Sequence, residues 1–413
     1  MVEAYRANSG GKPMRARLIL GFAVGASALG IVAPSAGQAL ATTAATTARP
    51  DLWPFNAIEV TPKVHLLTTP DDYFGPAIGN VILIEQSNGF VVVDSGLNAA
   101  NGRAVVRYAR SLVAKPIKAV MITHWHNDHP QGVSAIRDAY PKVRIIATPQ
   151  TEAGMLGPEA FDVGYSPGPK WDAAFAILLA KSREALEKLL ADPATAPDRK
   201  ERIKKALGQY DMMANDFKGT YIVPPTETFE RRLMIPDRDV PVEMLYLGRA
   251  NTEGDALAWL PKQKIVATGD IVVSPIPFGF GSHSSDWIET IGRVKALGFT
   301  TLIPGHGLPQ SDSSYLDKLV AAMADLRAQV MPLAKAGMPL EEVKKKVDFT
   351  KSIETFGTTT RIRANAKSLF FDPMTGSVYK EAKGEPIVQG EGSPEPDVPR
   401  DTPPPSRAKR HKS

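Results

Sequence analysis

Cysteine is absent from all 413 residues. That excludes disulfide staples, thiolate metal sites and a cysteine nucleophile together, so any metal must be held by nitrogen and oxygen. Histidine is scarce too, with seven in the whole chain. Nor is there a strong charge of one sign. Of the net +5, residues 1–41 carry +3 and residues 386–413 carry +1, which leaves the body near neutral. A basic groove for nucleic acid is therefore not expected. Long apolar runs are missing as well: the stretch Leu18 to Val32 is short for a membrane span. Preceded by Arg15 and Arg17 and followed by Ala39-Leu40-Ala41, it reads as a signal peptide over residues 1–41, with Met14 as an alternative start and an uncleaved anchor as the alternative role. Export implies a periplasmic or secreted bacterial protein without stable membrane association after cleavage. The chain is 43% hydrophobic, enough for a sizeable core.

Residues 42–57, rich in Ala, Thr and Pro, read as a linker. Apolar runs bounded by turn residues predict strands at Val64–Leu67, Val81–Ile84 and Phe90–Val93, a helix over 99–113, a strand at Ile117–Ile122, a helix over Gly132–Tyr140 and a strand at Val143–Ala147. That alternation is α/β. Residues 168–220 interrupt it: Leu179, Leu186, Leu189 and Leu190 at helical spacing, then Arg199–Leu207 beyond Pro193 and Pro197, predict an inserted helical hairpin, either a packed decoration or a lid. Strands resume at Val242–Leu247, Ala256–Leu260 and Lys264–Ala267, the last two joined through Pro261-Lys262-Gln263. A helix at Asp286–Leu297, a strand at Thr301–Ile303 and a long helix at Tyr315–Ala336 follow. Residues 336–385 read as a C-terminal extension with a short charged helix and a terminal hairpin around Pro373-Met374-Thr375-Gly376. Residues 386–413, proline-rich and basic at the end, read as a disordered tail.

Three of the seven histidines and one carboxylate crowd into Thr123-His124-Trp125-His126-Asn127-Asp128-His129-Pro130-Gln131-Gly132, directly after a predicted strand. Imidazole and carboxylate are the usual nitrogen and oxygen ligands of zinc. His124 and His126, two apart, suit side chains leaving an extended segment on one side toward one ion. A sharp turn could aim Asp128 and His129 at a neighbouring ion. Gly269-Asp270 and Pro304-Gly305-His306-Gly307 also follow strands. Ligands at the ends of successive strands can converge on one sheet edge, and that is the physical argument for a dinuclear site. Asp94, which ends the strand Phe90–Val93, is expected to orient the histidine loop through hydrogen bonds rather than to ligate. Trp125 is expected to pack at the loop and His65 to be structural.

With these residues in view the chain resembles the metallo-β-lactamase superfamily. The motif His-x-His-x-Asp-His stands at residues 124–129, Asp94-Ser95-Gly96 matches the family's strand-end aspartate, Thr268-Gly269-Asp270 its late aspartate and Gly305-His306-Gly307 its last histidine. The resemblance covers roughly residues 58–310, and it implies a four-layered αβ/βα sandwich, here a catalytic domain over 58–335, holding two zinc ions. By that resemblance His124 and His126 bind the first ion, Asp128, His129 and His306 the second, and Asp270 bridges them. His283, on the Gly-rich loop after Asp270, falls where the family places substrate contacts; a surface histidine is the alternative.

One position departs from the pattern. Where the family carries a third histidine for the first ion, Gly248-Arg249-Ala250-Asn251-Thr252-Glu253-Gly254-Asp255 has Asn251. An amide oxygen is a weaker zinc donor than imidazole, so Asn251 either ligates loosely, hydrogen-bonds a metal-bound water, or leaves the second ion to work alone. The expected protein is an exported zinc hydrolase that uses metal-bound hydroxide, oriented by Asp128, on a small ester, thioester or lactone-like substrate. A β-lactam hydrolase and a non-enzymatic metal-binding protein of the same fold are the alternatives.

Overall fold

The computed structural model describes residues 54–70, 77–156, 180 and 183–388. The expected signal peptide, most of the linker, Leu179 with the start of the insertion, and the tail from residue 389 lie outside the described residues.

Two sheets carry the fold. The first runs in the order β1 (Asn56–Thr61), β2 (Val64–Thr68), β3 (Val81–Gln86), β4 (Gly89–Val93), β5 (Ile117–Met121), β6 (Arg144–Ala147) and β7 (Glu227–Thr228). Its first four strands are an antiparallel meander, and from β4 onward the pairing is parallel. The second sheet has the order β12 (Thr301–Ile303), β11 (Ile265–Ala267), β10 (Ala256–Leu260), β9 (Val242–Tyr246), β8 (Arg232–Ile235), with β11 and β12 its parallel pair. β4 and β10 are buried at every position. Strands apolar on both faces are what a sheet covered on both sides requires.

The faces pack into three apolar layers. Between the sheets, Leu66, Ile84, Val91, Val93 and Met121 meet Val242, Met244, Ala258, Leu260 and Ile303. The outer face of the first sheet packs against α1 (Ala99–Leu112), α2 (Val133–Ala139) and α3 (Pro149–Leu156) through Val92, Val120, Val105, Ala109, Ile136 and Met155. The outer face of the second is covered by α5 (Ser284–Lys295), α6 (Ser314–Lys335) and the C-terminal helices, with Trp287, Leu316, Leu319, Phe370 and Phe371 buried there. The order of layers is αβ/βα, as the resemblance implied. α1 is capped by Asn98, whose side chain accepts from Asn101 N at 3.0 Å. It meets the start of α2 at Gly102 and Gly132 so closely that a Cβ on Gly102 would lie 1.9 Å from the Gly132 carbonyl oxygen. That approach seats the loop preceding α2, which is the histidine stretch.

The inserted hairpin is seen in part, as a helical stretch over 183–191 and α4 (Pro197–Asp216). One turn at residues 193–195, carrying Pro193, separates the helices, Pro197 opens α4 at its first position, and Ile203, Ala206 and Tyr210 are buried. Asp216 closes α4, where a negative charge opposes the helix dipole. Burial pushes its carboxyl up to about 6, and the charge of Arg103 only partly offsets this. An acid that binds its proton more tightly when folded lowers stability as pH rises from about 4 to about 6, and the penalty is constant above that. Asp216 is partly exposed, so the penalty is screened to about 1 kcal/mol. Asp216→Asn should therefore raise the melting temperature by about 2 °C at pH 7.5 and change almost nothing at pH 3. An equal gain at both pH values would refute the electrostatic cause.

One expectation fails at the C-terminus. Residues 372–383 form no hairpin; they are α10 (Asp372–Lys383), entered through a π-helical turn, Lys367–Phe371. Pro373 follows that turn directly, and the Leu369 carbonyl four residues before it, which proline has no N–H to meet, accepts from Gly279 N at 2.9 Å instead. Phe370, Met374 and Val378 recur every four residues and are fully buried against the second sheet's helical layer. Tertiary burial of that stripe outweighs the turn tendency of Pro and Gly. Between α6 and α10 lie three short helices, α7 (Leu340–Lys346), α8 (Thr350–Phe356) and α9 (Thr360–Ala366). Among the described residues no helix is long and apolar enough to cross a membrane.

Candidate metal centre

Four chain segments meet where the two parallel strand pairs end: Asp94 after β4, residues 123–129 after β5, Asp270 after β11 and His306 after β12. Backbone hydrogen bonds lock them together. Asp94 N donates to Met121 O at 2.8 Å, Ser95 N to His129 O at 2.7 Å, Ala256 N to Thr123 O at 2.9 Å and Gly305 N to Gly269 O at 2.9 Å. Asn80, which sequence reasoning did not single out, fastens the two halves: its amide donates to Pro304 O and Gly307 O at 2.9 and 2.8 Å, and its backbone N to Gly305 O at 2.7 Å. No motif marks it, because its partners lie far along the chain.

The side chains gather into two groups, His124 with His126 and Asp270, and Asp128 with His129 and His306. In each group the three ligand atoms lie within 4.8 Å of one another. Asp270 stands between them. Its Oδ2 is 3.7 Å from His124 Nε2, while its Oδ1 is 3.3 Å from His129 Nε2 and 3.6 Å from His306 Nε2. Asp128 Oδ2 lies 3.0 Å from His306 Nε2 and 3.6 Å from His129 Nε2. The crowding needs glycine at Gly305, where a Cβ would come within 2.1 Å of Asp270 Oδ1, and at Gly79, where it would strike the His129 ring at 2.6 Å.

The donor set suits a divalent cation. Buried His124 Nε2, His129 Nε2, His306 Nε2 and Asp270 Oδ1 have no hydrogen-bond partner, although leaving such atoms bare is costly. Burial, reinforced by the neighbouring imidazoles, holds the His124 pKa well below its usual value, and burial brings that of His126 to about 4, so both rings offer neutral nitrogen. His129 differs: against the cost of burial, Asp128, Asp270 and Asp94 hold its pKa well above the ordinary value. Burial works against an ionised Asp128 too, but His129 and the adjacent His306 keep its carboxyl well below the usual range.

Asp94 does what its position suggested. Its Oδ1 accepts from Thr123 N at 2.8 Å, and its Oδ2 from Thr123 Oγ1 at 2.7 Å and from His129 Nδ1 at 2.8 Å. Thr123 Oγ1, having given its proton to Asp94, can accept from His124 Nδ1 at 3.0 Å. One carboxylate thus sets the proton on Nδ1 in a histidine of each group, which leaves the Nε2 lone pair of His124 facing inward and makes Nε2 of His129 the nitrogen whose second proton a cation would displace.

Asn251 is fully buried; its Oδ1 accepts from Ser282 Oγ at 3.0 Å, and its Nδ2 has no partner. The reverse amide orientation would free the oxygen instead. The neighbouring Asp255 accepts from Thr252 N at 2.6 Å, and burial pushes its carboxyl up to about 7. His283 is buried at the start of α5; burial, reinforced by Arg249, lowers its pKa against the charges of Glu253, Asp286 and Glu381. Trp125 is buried, with Gly154 pressed against its ring, and His65 is buried beside Tyr108.

Comparison with known proteins agrees with this geometry. A "Linear primary-alkylsulfatase" of Pseudomonas sp. (strain ATCC 19151) is 22% identical over 286 residues, 64% of this chain and 49% of that protein. The solved inverting sec-alkylsulfatase Pisa1 from Pseudomonas sp. shares the fold with a TM-score of 0.52 at 17% identity, over 83% of this chain and 52% of its own. The chain thus spans about half the length of these two relatives. The metallo-beta-lactamase FIM-1 from Pseudomonas aeruginosa aligns over 67% of this chain and 98% of its own, at 15% identity and a TM-score of 0.43. Residues 74–306 match the profile of the metallo-beta-lactamase superfamily. Since that match runs from before Asp94 through His306, taking in all four converging segments, the chain belongs to the metallo-beta-lactamase superfamily.

Proposed function

We propose that this protein is a metal-dependent hydrolase of small ester-type substrates that holds two zinc ions, one on His124, His126 and Asp270 and one on Asp128, His129 and His306. The observation that carries this reading is Asp270, whose two oxygens face opposite ligand groups. When bound, zinc supplies Lewis acidity and a water acidified from a pKa near 15.7 to about 7. The chain's own part is to position. Asp128 is 18% exposed, whereas Asp270 is 2% exposed, so an ionised carboxylate oxygen at the open side of the centre can orient the attacking water. Asp94 and Thr123 keep the histidine rings in the ligating tautomer.

Within the ester class, sulfate esters of alcohols join carboxylic esters, thioesters and lactones, since the curated relative is an alkylsulfatase. The test is turnover of p-nitrophenyl acetate, an acyl thioester, a lactone, an alkyl sulfate and a cephalosporin, before and after chelation and with zinc restored. We expect zinc-restorable hydrolysis of at least one ester. Cleavage of the cephalosporin alone would favour a β-lactam hydrolase, and zinc binding without any turnover a non-enzymatic protein.

On this reading Asp270 completes the first ligand group, and Asn251, buried on Ser282, stands where the family carries a histidine. Asn251→His should tighten zinc at the first site about tenfold, measured by competition with a chelating dye; an unchanged affinity would place position 251 outside the coordination sphere. Export through residues 1–41 is part of the proposal, and activity confined to the cytoplasmic fraction of a bacterial host would contradict it.

A further inference from the structure

The hydrolytic reading leaves two aromatic rings unused. Phe278 meets the His306 ring edge-on at 5.5 Å, and Phe280 stacks on Phe278 at 6.2 Å with the planes 19° apart. Both rings remain partly exposed, and Leu308, two residues beyond His306, is 45% exposed. The backbone beneath them is well anchored. Gly279 N donates to Leu369 O at 2.9 Å, Ile276 is buried, and Gly279 lies so close to α10 that a Cβ there would come within 2.4 Å of Met374 Cγ. Ser274 N donates to His306 O at 3.1 Å, which ties the aromatic loop to the loop carrying His306 and Leu308. A fixed apolar wall therefore stands on the Asp128–His129–His306 side of the centre, touching one of its ligands.

We infer that Phe278, Phe280 and Leu308 form the subsite for an apolar group of the substrate, so that the class cleaved is aryl or medium-chain alkyl esters rather than esters polar on both sides. This rests on the hydrolytic centre proposed above. The apolar group lies along the stacked rings while the reacting bond sits over Asp128. Rings that are stacked and held from behind lose little freedom when a chain covers them, which makes them effective contact surface.

The test uses carboxylates as probes and needs no turnover. The zinc-loaded full chain is titrated calorimetrically with acetate, butyrate and octanoate. A methylene fully removed from water tightens binding about fourfold; with partial cover, octanoate should bind at least tenfold more tightly than acetate. Phe278→Ala, Phe280→Ser and Leu308→Ser should each cut that ratio threefold or more. Met234→Ser, at an exposed apolar residue on edge strand β8, should leave it unchanged. Equal affinities along the series, or a ratio that survives all three substitutions in folded protein, would overturn the subsite. Turnover separates the two readings: chain-length preference without hydrolysis of any ester sinks the hydrolase and keeps the subsite, whereas hydrolysis with flat binding sinks the subsite alone.

Discussion

Asp270→Asn is expected to cost at least 10³-fold in kcat and to empty one or both metal positions. The replacement keeps the volume, so the packing against Gly305 survives. What it cannot keep is two outward-facing acceptors. Asp270 presents Oδ2 toward His124 and Oδ1 toward His129 and His306, and an amide must turn its NH₂ toward one of these groups, aiming N–H bonds where a cation belongs. Loss of a bound ion forfeits several kcal/mol of transition-state stabilisation, and about 4 kcal/mol corresponds to the 10³-fold stated. Elemental analysis with steady-state kinetics decides it. Two zinc ions per chain and near-normal kcat would remove Asp270 from the centre.

The second large effect is expected at a residue that is itself no ligand. Asp94→Asn should lower zinc affinity and kcat/KM about 100-fold, the upper end for partners that orient metal ligands. Asp94 has φ of 58°, a left-handed conformation that Asn tolerates better than most residues, so the fold should persist. If the Asn oxygen keeps the Thr123 N–H, its NH₂ takes the place of Oδ2, opposite His129 Nδ1. His129 must then accept at Nδ1 and carry its proton on Nε2, where it can no longer ligate. Turning the amide over instead strands the buried Thr123 N–H. Zinc content, kcat/KM and a melting curve are to be measured together. A variant that melts normally, binds two ions and works within threefold of the parent would make Asp94 merely a staple of the loop.

Much of the fold was legible in the sequence because its strands sit between covered faces. Phe90–Val93 and Ala256–Leu260 are unbroken apolar runs for that reason, and both were read at nearly their observed limits. β7, two residues long, offers no periodicity to read. The C-terminal helix was misread because Pro373 and Gly376 signal a turn locally, while the burial of Phe370, Met374 and Val378 is decided by a layer assembled from distant helices. At the centre, the four motifs stood out through residue type and place at strand ends. Asn80 and Ser282 did not, since an ordinary polar residue acquires a role only from the partner it meets.

The sequence by itself determined the chemistry available. It ruled out thiolates, grouped imidazoles and carboxylates after apolar strands, and ordered them so that α/β folding brings them to one end of each sheet. Tertiary structure alone decided how those ligands divide. Asp270 lies between two groups because the ends of the parallel pairs β4–β5 and β11–β12 face each other across the stacked sheets. Asn251 meets Ser282, and Phe278 meets His306, because loops at one end of the second sheet lie side by side. Periodicity and spacing are properties of one segment; which lone pairs converge, and which hydrogen bond holds a ring in its ligating tautomer, depends on segments that only tertiary packing brings together.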